Sequence, residues 1–384
     1  MTAYRQEDER AIRTGRRVDD WTQSGLLTPE QRSVLLPQLA VELRRTNKFL
    51  RITLFLFGGV ILHSALGLFA LFLSGTTGET TAALLCVIAG GACFWLASQL
   101  VRRYHLYRFG VEEVAALTAA GLVATGAALF VGGDSPLVVG LAVAATMLAV
   151  LFLHFGFVYA AVLAMVAAAA LPFQFASESE VLPRAIAIVV LAAIAVMVRR
   201  ARSEYGDEYP GDVLTVIEAC AWLGVYLLVN LVASGGLTRL DRASSFYWVT
   251  FAVIWLLPAA GLWWSLRGRE RPLLLVSLVM ALGTLLSSKA YLGAPSYEWD
   301  PIVFGLLLIV IAGGVRRWLS SGEGGMRHGY TASRILQSDQ AALGSLAMVS
   351  AVHTDVPVAP SAAAPDSAIG GGGRSGGAGA GGAF

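Results

Sequence analysis

Hydrophobic and polar positions divide the chain into a polar beginning, a long apolar middle and a polar end. Residues 1–48 carry many charges, and the following part consists of apolar runs with short polar breaks between them. A helix needs ~20 mainly apolar residues to cross a hydrocarbon core of ~30 Å. The runs therefore predict about ten membrane-spanning helices, at 52–73, 81–101, 114–132, 136–154, 156–175, 182–198, 213–233, 246–266, 272–290 and 299–316.

One apolar stretch is too long for a single span. Residues 136–175 contain no charged side chain over 40 positions. A straight helix of that length would extend for ~60 Å, twice the thickness of the core. We therefore expect the chain to fold back near His154–Phe157, either as two full spans or as a re-entrant hairpin. Both alternatives leave the ends of this stretch on the same side of the membrane.

The basic residues predict the orientation of these spans. With the N-terminus in the cytoplasm, nearly all of the 28 Lys and Arg residues fall on the cytoplasmic side. The exceptions are Arg184, Arg239, Arg242 and Lys289. This is the distribution that the positive-inside rule describes, and it predicts that both termini are cytoplasmic. Since almost every basic residue is Arg, a coding bias of GC-rich bacteria is indicated, and we expect a bacterial cytoplasmic (inner) membrane.

The polar beginning has the pattern of a short helical hairpin on the cytoplasmic side. Residues 5–24 place Ile12, Val18 and Trp21 on one sparse apolar stripe among charged residues, which is typical of an amphipathic helix. Gly25 follows, and a glycine at this place accepts the left-handed conformation that ends many helices.

A second helix is predicted to start directly after this turn. Thr28 is a suitable N-cap, Pro29 occupies the first helical position and Gln31 stands three residues after the cap, which is the spacing of a capping box. We expect this helix to run towards Arg44 and to lead into the first span, with a kink at Pro37.

The turn between the two helices also carries a family resemblance. The stretch "WTQSGLLTPEQ", followed by a charged helix and many apolar runs, resembles the DUF2157 family of bacterial membrane proteins. The matching residues are Trp21, Gly25, Leu26, Leu27, Glu30 and Gln31. The resemblance covers about 50 residues specifically, and it implies a multi-span membrane protein without implying any catalytic residue.

Composition agrees with a membrane protein. The chain is 56% hydrophobic and 14% charged, with a mean hydropathy of +0.66, whereas soluble domains carry about 25% charged residues. The predicted fold is an all-α, polytopic helical membrane bundle with a short cytoplasmic N-terminal hairpin. The predicted parts are a helical module at 1–48, the bundle at 49–319, a juxtamembrane segment at 320–350 and a disordered Ala/Pro/Gly-rich tail at 351–384.

Ionisable and polar residues inside the spans are the candidates for chemistry, because burying them in lipid is costly. Glu218, Trp222, Tyr226 and Asn230 follow one another at four-residue steps, which places them along one helix face. The stripe favours either a proton-exchanging transport path or a carboxylate that pairs with nearby arginines. His63, well inside the first span, is expected to make a hydrogen bond to a neighbouring helix or to take part in transport.

Known catalytic and metal-binding signatures do not occur in the sequence. We find no nucleophile elbow, phosphate-binding loop, zinc-protease motif or EF-hand loop. The three cysteines lie in apolar runs without C-x-x-C spacing, and the five histidines are scattered. We expect no cofactor, no bound metal, no enzymatic activity and no nucleic-acid partner.

Two functions remain open from the sequence. The first is a non-enzymatic scaffold or docking protein that binds a protein partner through the N-terminal hairpin, with Trp21, Leu26 and Leu27 as the partner surface. The alternative is a proton-coupled secondary transporter of small solutes, which would use the Glu218 stripe and His63. In both cases the lipid bilayer is the main surrounding of the chain.

Overall fold

The computed structural model is helical almost throughout the residues that it describes. These residues are 3–23, 25–73, 78–132, 135–175, 181–205, 213–235, 244–268, 270–294, 299–322, 326–327 and 330–331. The chain divides into two compact units, residues 1–311 and 312–384. The predicted juxtamembrane segment at 320–350 is described only in part, up to residue 331, and the predicted tail at 351–384 lies outside the described residues.

The first two helices form the predicted hairpin. Helix α1 (Gln6–Gln23) buries Ile12, Val18 and Trp21, as the apolar stripe predicts. Helix α2 (Pro29–Gln38) begins with a complete capping box: the Thr28 hydroxyl accepts from the Gln31 amide at 3.3 Å, and the Gln31 side chain accepts from the Thr28 amide at 2.9 Å. Gly25 between them has a φ of +73°, the left-handed conformation expected there.

The second helix does not continue into the first span. It ends at Gln38, one residue after Pro37, and the Leu39 amide closes the last turn on the Leu36 carbonyl at 3.1 Å. Residues 39–47 are not helical. A new helix then begins at Lys48, where the Asn47 side chain accepts a hydrogen bond from the Leu50 amide at 2.7 Å. The module and the membrane helices are therefore separated by a non-helical linker.

Each predicted span corresponds to a helix. The bounds are α3 Lys48–Leu73, α4 Glu79–Tyr104, α5 Val111–Val131, α6 Pro136–Phe155, α7 Val158–Ala170 with a 3-10 turn Leu171–Gln174, α8 Val181–Tyr205, α9 Val213–Val229, α10 Ser245–Gly268, α11 Arg271–Leu292 and α12 Asp300–Ser320. Two short antiparallel strands follow, β1 Met326–Arg327 and β2 Tyr330–Thr331.

Seven of the described helices are long and apolar enough to cross a membrane, judged by length and composition. Two further apolar helices, 158–174 and Val213–Val229, are shorter. The outer faces of these helices expose many large apolar side chains, which suits contact with lipid tails rather than water. The protein is therefore an integral membrane protein.

The uncharged stretch folds back where the sequence predicts it. Helix α6 ends at Phe155, Gly156 takes the left-handed conformation with a φ of +72°, and α7 starts at Val158. The α7 helix and its 3-10 extension together reach roughly 27 Å, close to the thickness of the core.

Small residues allow close packing between helices α4 and α5. A Cβ atom on Gly90 would lie 2.7 Å from a methyl group of Val123, and one on Gly126 would lie 2.8 Å from the carbonyl oxygen of Ala83. Only glycine fits at such contacts, and close backbone approach is a common way to pack helices in lipid. A second apolar core lies among α7 to α11 and surrounds the Glu218 stripe.

Candidate functional site

The predicted stripe on α9 starts with a fully buried carboxylate. Glu218 is 0% exposed, and its two oxygens lie 3.6 Å from Arg199 and 3.2 Å from Arg202, both on α8. Sequence reasoning left open whether Glu218 pairs with these arginines, and the structure shows that it does. A carboxylate between two guanidinium groups is compensated where it lies.

Arg202 is the centre of a wider set of contacts. Besides Glu218, its guanidinium group reaches Glu270 at 2.6 Å and the hydroxyl of Thr215 at 3.2 Å. Arg199 lies over the ring of Trp264, 5.1 Å from its centroid, in a cation–π arrangement. These contacts tie α8 and α9 to the segment between α10 and α11, which is a structural role.

Tryptophans continue the stripe beside this cluster. Trp222 contacts Trp264 with ring centroids 5.8 Å apart. Both rings line an apolar groove of about 160 Å³ between α9, α10 and α11. This groove contains no charged side chain in its lining, and it supplies no group for acid–base chemistry.

Asn230 closes α9 with every hydrogen bond that an amide side chain can make. Its NH₂ group donates to the Tyr226 hydroxyl at 2.9 Å and to the Ser287 hydroxyl at 3.0 Å. Its oxygen accepts from the amides of Val232 and Ala233 at 3.1 and 3.2 Å. Since two donors and two acceptor sites are the full capacity of asparagine, this side chain has no free polar atom to offer a solute.

Tyr226 lies beside a contact that replaces a missing backbone hydrogen bond in α10. Pro258 within α10 cannot donate to the carbonyl of Ile254 one turn earlier. The hydroxyl of Thr284 on α11 lies 2.7 Å from that carbonyl and 3.2 Å from the Tyr226 hydroxyl. A side chain of a neighbouring helix thus satisfies the carbonyl, as is usual for prolines in membrane helices.

Arg184 joins the same end of α9, which sequence reasoning missed because it counted this residue only as an outside charge. The side chain is 4% exposed and donates to the Leu228 carbonyl at 3.1 Å and to the Ser234 hydroxyl. A cation is favourable at a helix C-terminus, where carbonyl groups lack intrahelical donors. The signal was available: an arginine in the first turn of an apolar run needs a polar partner.

His63 lies apart from the stripe. Its side chain is exposed, and Nδ1 is 2.8 Å from the Gly59 carbonyl of its own helix. The expected hydrogen bond to a neighbouring helix is therefore replaced by one within α3. Helix α3 lies at the periphery, and no residue in its most apolar 18-residue stretch is buried. The imidazole therefore contacts the backbone of its own helix, four residues earlier in the chain.

A second polar region, which sequence reasoning did not find, joins the N-terminal module to the bundle. We call it the junction and define it by Tyr4, Glu9, Arg44 and Tyr107. Glu9 is 2% exposed, and its Oε2 accepts a hydrogen bond from the Tyr107 hydroxyl at 2.9 Å. Tyr4 packs edge-to-face on Tyr107 with ring centroids 5.1 Å apart. The available signal was Glu9 itself, a charge three residues before Ile12 on the apolar face of α1.

Backbone hydrogen bonds strengthen the junction. The Arg44 amide donates to the His105 carbonyl at 2.8 Å, and the Tyr107 amide donates to the Arg44 carbonyl at 3.0 Å. The Ala3 amide donates to the His154 carbonyl at 3.0 Å. The module is thus attached to the loop after α4 and to the turn after α6.

Burial raises the pKa values of the ionisable side chains at the junction. Burial raises the pKa of Glu9 above its ordinary value, although the Tyr107 hydroxyl and nearby arginines oppose this. Burial also raises the pKa of Tyr107, to about 12, and that of Tyr4. Both tyrosines are therefore neutral at physiological pH.

The residues predicted as a partner surface differ in their exposure. Trp21 is 9% exposed and lies in the last turn of α1, where its carbonyl accepts from the Leu26 amide at 2.9 Å. Leu26 and Leu27 are half-buried. The Trp21 carbonyl therefore supports the turn, and the two leucines keep part of their surface available.

Neither a metal centre nor a relative provides further guidance. The parts of the chain that the structure describes contain no group of three or more His, Cys, Asp or Glu residues that could hold a metal ion. Compared with known proteins, the chain matches no family model and no curated protein. Its function is inferred from the contacts above.

Proposed function

We propose that this chain is a non-enzymatic scaffold of a bacterial cytoplasmic membrane, which binds a protein partner through its N-terminal hairpin. It has ten spans with both termini in the cytoplasm, and it belongs with the DUF2157 membrane proteins. The distribution of basic residues supports the orientation, and the capped turn at Gly25 and Thr28 supports the family.

The exposure of α2 is the observation that most directly supports the docking function. None of its ten residues is buried, so the helix contributes no side chain to a core of the protein. It is nevertheless held in place, by its capping box and by the ion pair of Arg32 with Asp19 at 2.9 Å. A helix that is fixed but uncovered suits recognition, because its ordering does not have to be supplied when the partner binds.

The apolar residues of this surface fit a protein partner. Val34 is 61% exposed, and Leu26 and Leu27 lie half-buried at the adjacent turn. We define the docking surface as Leu26, Leu27 and Val34. Trp21 supports the two leucines of this surface, because its carbonyl accepts from the amides of Leu26 and Leu27 at 2.9 and 3.3 Å.

Site-specific photo-crosslinking in the native membrane tests the docking function. A photoreactive amino acid at position 34 should give one stoichiometric protein adduct. The same group at Phe130, a lipid-facing residue that is 64% exposed, is the matched control and should give none. If positions 26, 27 and 34 all give no adduct, the docking function is wrong.

Cysteine labelling tests the orientation independently. In a background without the three native cysteines, a cysteine at position 20 should react only after the membrane is permeabilised, whereas one at position 239 should react in intact cells. The reverse result would contradict the proposed topology without affecting the contacts described above.

The alternative function is proton-coupled transport, and one observation favours it. Polar side chains occur along α9 from Glu218 to Asn230, and hydrogen bonds extend from this stripe to the carbonyl of Ile254 in the proline-containing helix α10. In proteoliposomes, transport along this path predicts a pH-driven solute flux that Glu218→Gln abolishes. The scaffold function predicts no such flux in either protein.

A further inference from the structure

Two pairs of arginines that are distant in sequence lie close together in the fold. Arg44 and Arg45 belong to the linker after the module, and Arg102 and Arg103 belong to the last turn of α4. The backbone pairing of Arg44 with His105 and Tyr107 holds the linker against the residues that follow α4. Tertiary structure, not sequence, therefore assembles the four positive charges into one basic patch.

All four side chains of this basic patch are exposed. Within the described part of the chain, none of them makes an ion pair. The acidic residues nearest in sequence are Glu42, which is exposed, Glu112, which accepts from the Phe109 amide at 2.6 Å, and Glu113, which pairs with Arg51 at 2.5 Å. The patch thus keeps a net positive charge that faces outward.

The basic patch lies where lipid headgroups begin. Directly after the linker, α3 exposes Phe49 by 79% and Ile52 by 60%. Apolar side chains next to a cluster of arginines are typical of the boundary between hydrocarbon and headgroups. Charge complementarity selects negatively charged lipids over neutral ones.

We propose that the basic patch binds the headgroups of anionic phospholipids, and that it is complete only while the module is attached at the junction. Tyr107 connects lipid binding with attachment of the module, because its amide donates to the Arg44 carbonyl and its hydroxyl donates to the Glu9 carboxylate. Lipid binding and module attachment therefore stabilise each other, since coupling between two binding events is reciprocal. The inference needs neither a protein partner nor a particular orientation of the chain.

Reconstitution of the full chain in nanodiscs tests the binding. Discs contain phosphatidylcholine alone or mixed with phosphatidylglycerol, and native mass spectrometry measures how many phosphatidylglycerol molecules stay bound. Arg44→Gln/Arg45→Gln and Arg102→Gln/Arg103→Gln should each weaken retention by about tenfold or more, since each arginine near the surface contributes about fivefold. Arg10→Gln/Arg17→Gln removes two exposed arginines from α1 and is the matched control.

The link to the module is tested by a variant that removes no charge. Tyr107→Phe should reduce phosphatidylglycerol retention, whereas Tyr104→Phe should not. Conversely, phosphatidylglycerol should slow protease cleavage within residues 1–47 of the wild type but not of Arg102→Gln/Arg103→Gln. Equal retention in the control and both arginine variants would overturn the site, and unchanged retention in Tyr107→Phe would overturn the link. Equal protection by inorganic phosphate in phosphatidylcholine discs would overturn the assignment to lipid.

Discussion

The α9 stripe and the junction both bury a glutamate, but they satisfy it in different ways. Glu218 on α9 lies between two arginines, and the stripe ends at Asn230, whose amide makes all four of its hydrogen bonds. Glu9 at the junction instead accepts a hydrogen bond from a neutral donor, the Tyr107 hydroxyl at 2.9 Å. A hydrogen bond from a neutral hydroxyl contributes less to stability than contacts with two charged groups, so breaking the contact of Glu9 costs less. The stripe is therefore a fixed part of the bundle, and the junction is a contact that can open.

Removing Arg202 should have the largest effect and would test whether the stripe is fixed. Arg202→Ala leaves Glu218 buried with only the longer contact to Arg199, and it also frees Glu270. We expect the free energy of unfolding of the bundle to fall by about 4 kcal/mol. SDS titration followed by tryptophan fluorescence measures it. The control Arg200→Ala removes an exposed arginine two residues away; an equal loss there would contradict a specific role of Arg202.

Trp21→Ala should have the second-largest effect, and this effect should be confined to the N-terminal module. Truncating this nearly buried side chain leaves a cavity, at a cost of about 3 kcal/mol. Residues 1–48 should then become sensitive to protease, while insertion and SDS stability of the bundle stay the same. Equal protection in mutant and wild type would show that Trp21 does not hold the hairpin.

Asn230→Ala probes the other end of the stripe. It removes the two acceptor contacts that close α9 and the two donor contacts to Tyr226 and Ser287. We expect a loss of about 2 kcal/mol in the same SDS titration. Ser288→Ala, which removes only a hydroxyl bonded to its own helix, should change stability by less than about 0.5 kcal/mol. If both variants behave alike, the stripe is not a fixed structural element.

Tyr107→Phe tests whether the junction can open. The change removes only the hydroxyl bonded to Glu9, worth about 1 kcal/mol, so the open population should rise about fivefold. The rate of proteolysis within residues 1–47 measures this population, and the SDS stability of the bundle should not change. Tyr104→Phe alters an exposed tyrosine on α4 and should leave the rate unchanged; a faster rate there would remove the specific role of Tyr107.

The smallest effect concerns pH. Burial raises the pKa of Glu9 above its ordinary value of 4.5, whereas Tyr107, Arg108, Arg16 and Arg13 oppose the shift. A carboxyl with a raised pKa in the attached state contributes stability below its ordinary pKa, and this stability is lost as the pH rises through the raised value. The module should therefore be better protected from protease at pH 5 than at pH 8.

Glu9→Gln should make this protection independent of pH over the same interval, because it keeps the size of the side chain and removes the ionisation. The exposed Glu7→Gln is its control and should retain the pH dependence of the wild type. A wild type whose protection rises with pH would contradict the direction of the shift.

The sequence alone determined the elements that depend on local pattern. Apolar run length predicted each helix from α3 to α12, the uncharged stretch predicted the turn at Gly156, and Thr28 with Gln31 predicted the start of α2. These features depend on residues that lie close together in the chain, namely on hydrophobic length, on the left-handed glycine and on a cap that acts over three residues.

Only the tertiary structure decided which polar groups meet. Sequence spacing placed Glu218 and Asn230 on one face of α9, but their partners Arg202 and Ser287 come from other helices. The pairing of Glu9 with Tyr107 spans 98 residues, and no local pattern specifies it. Side-chain hydrogen bonds and ion pairs act over about 3 Å, so they form only after helix packing has brought distant segments together.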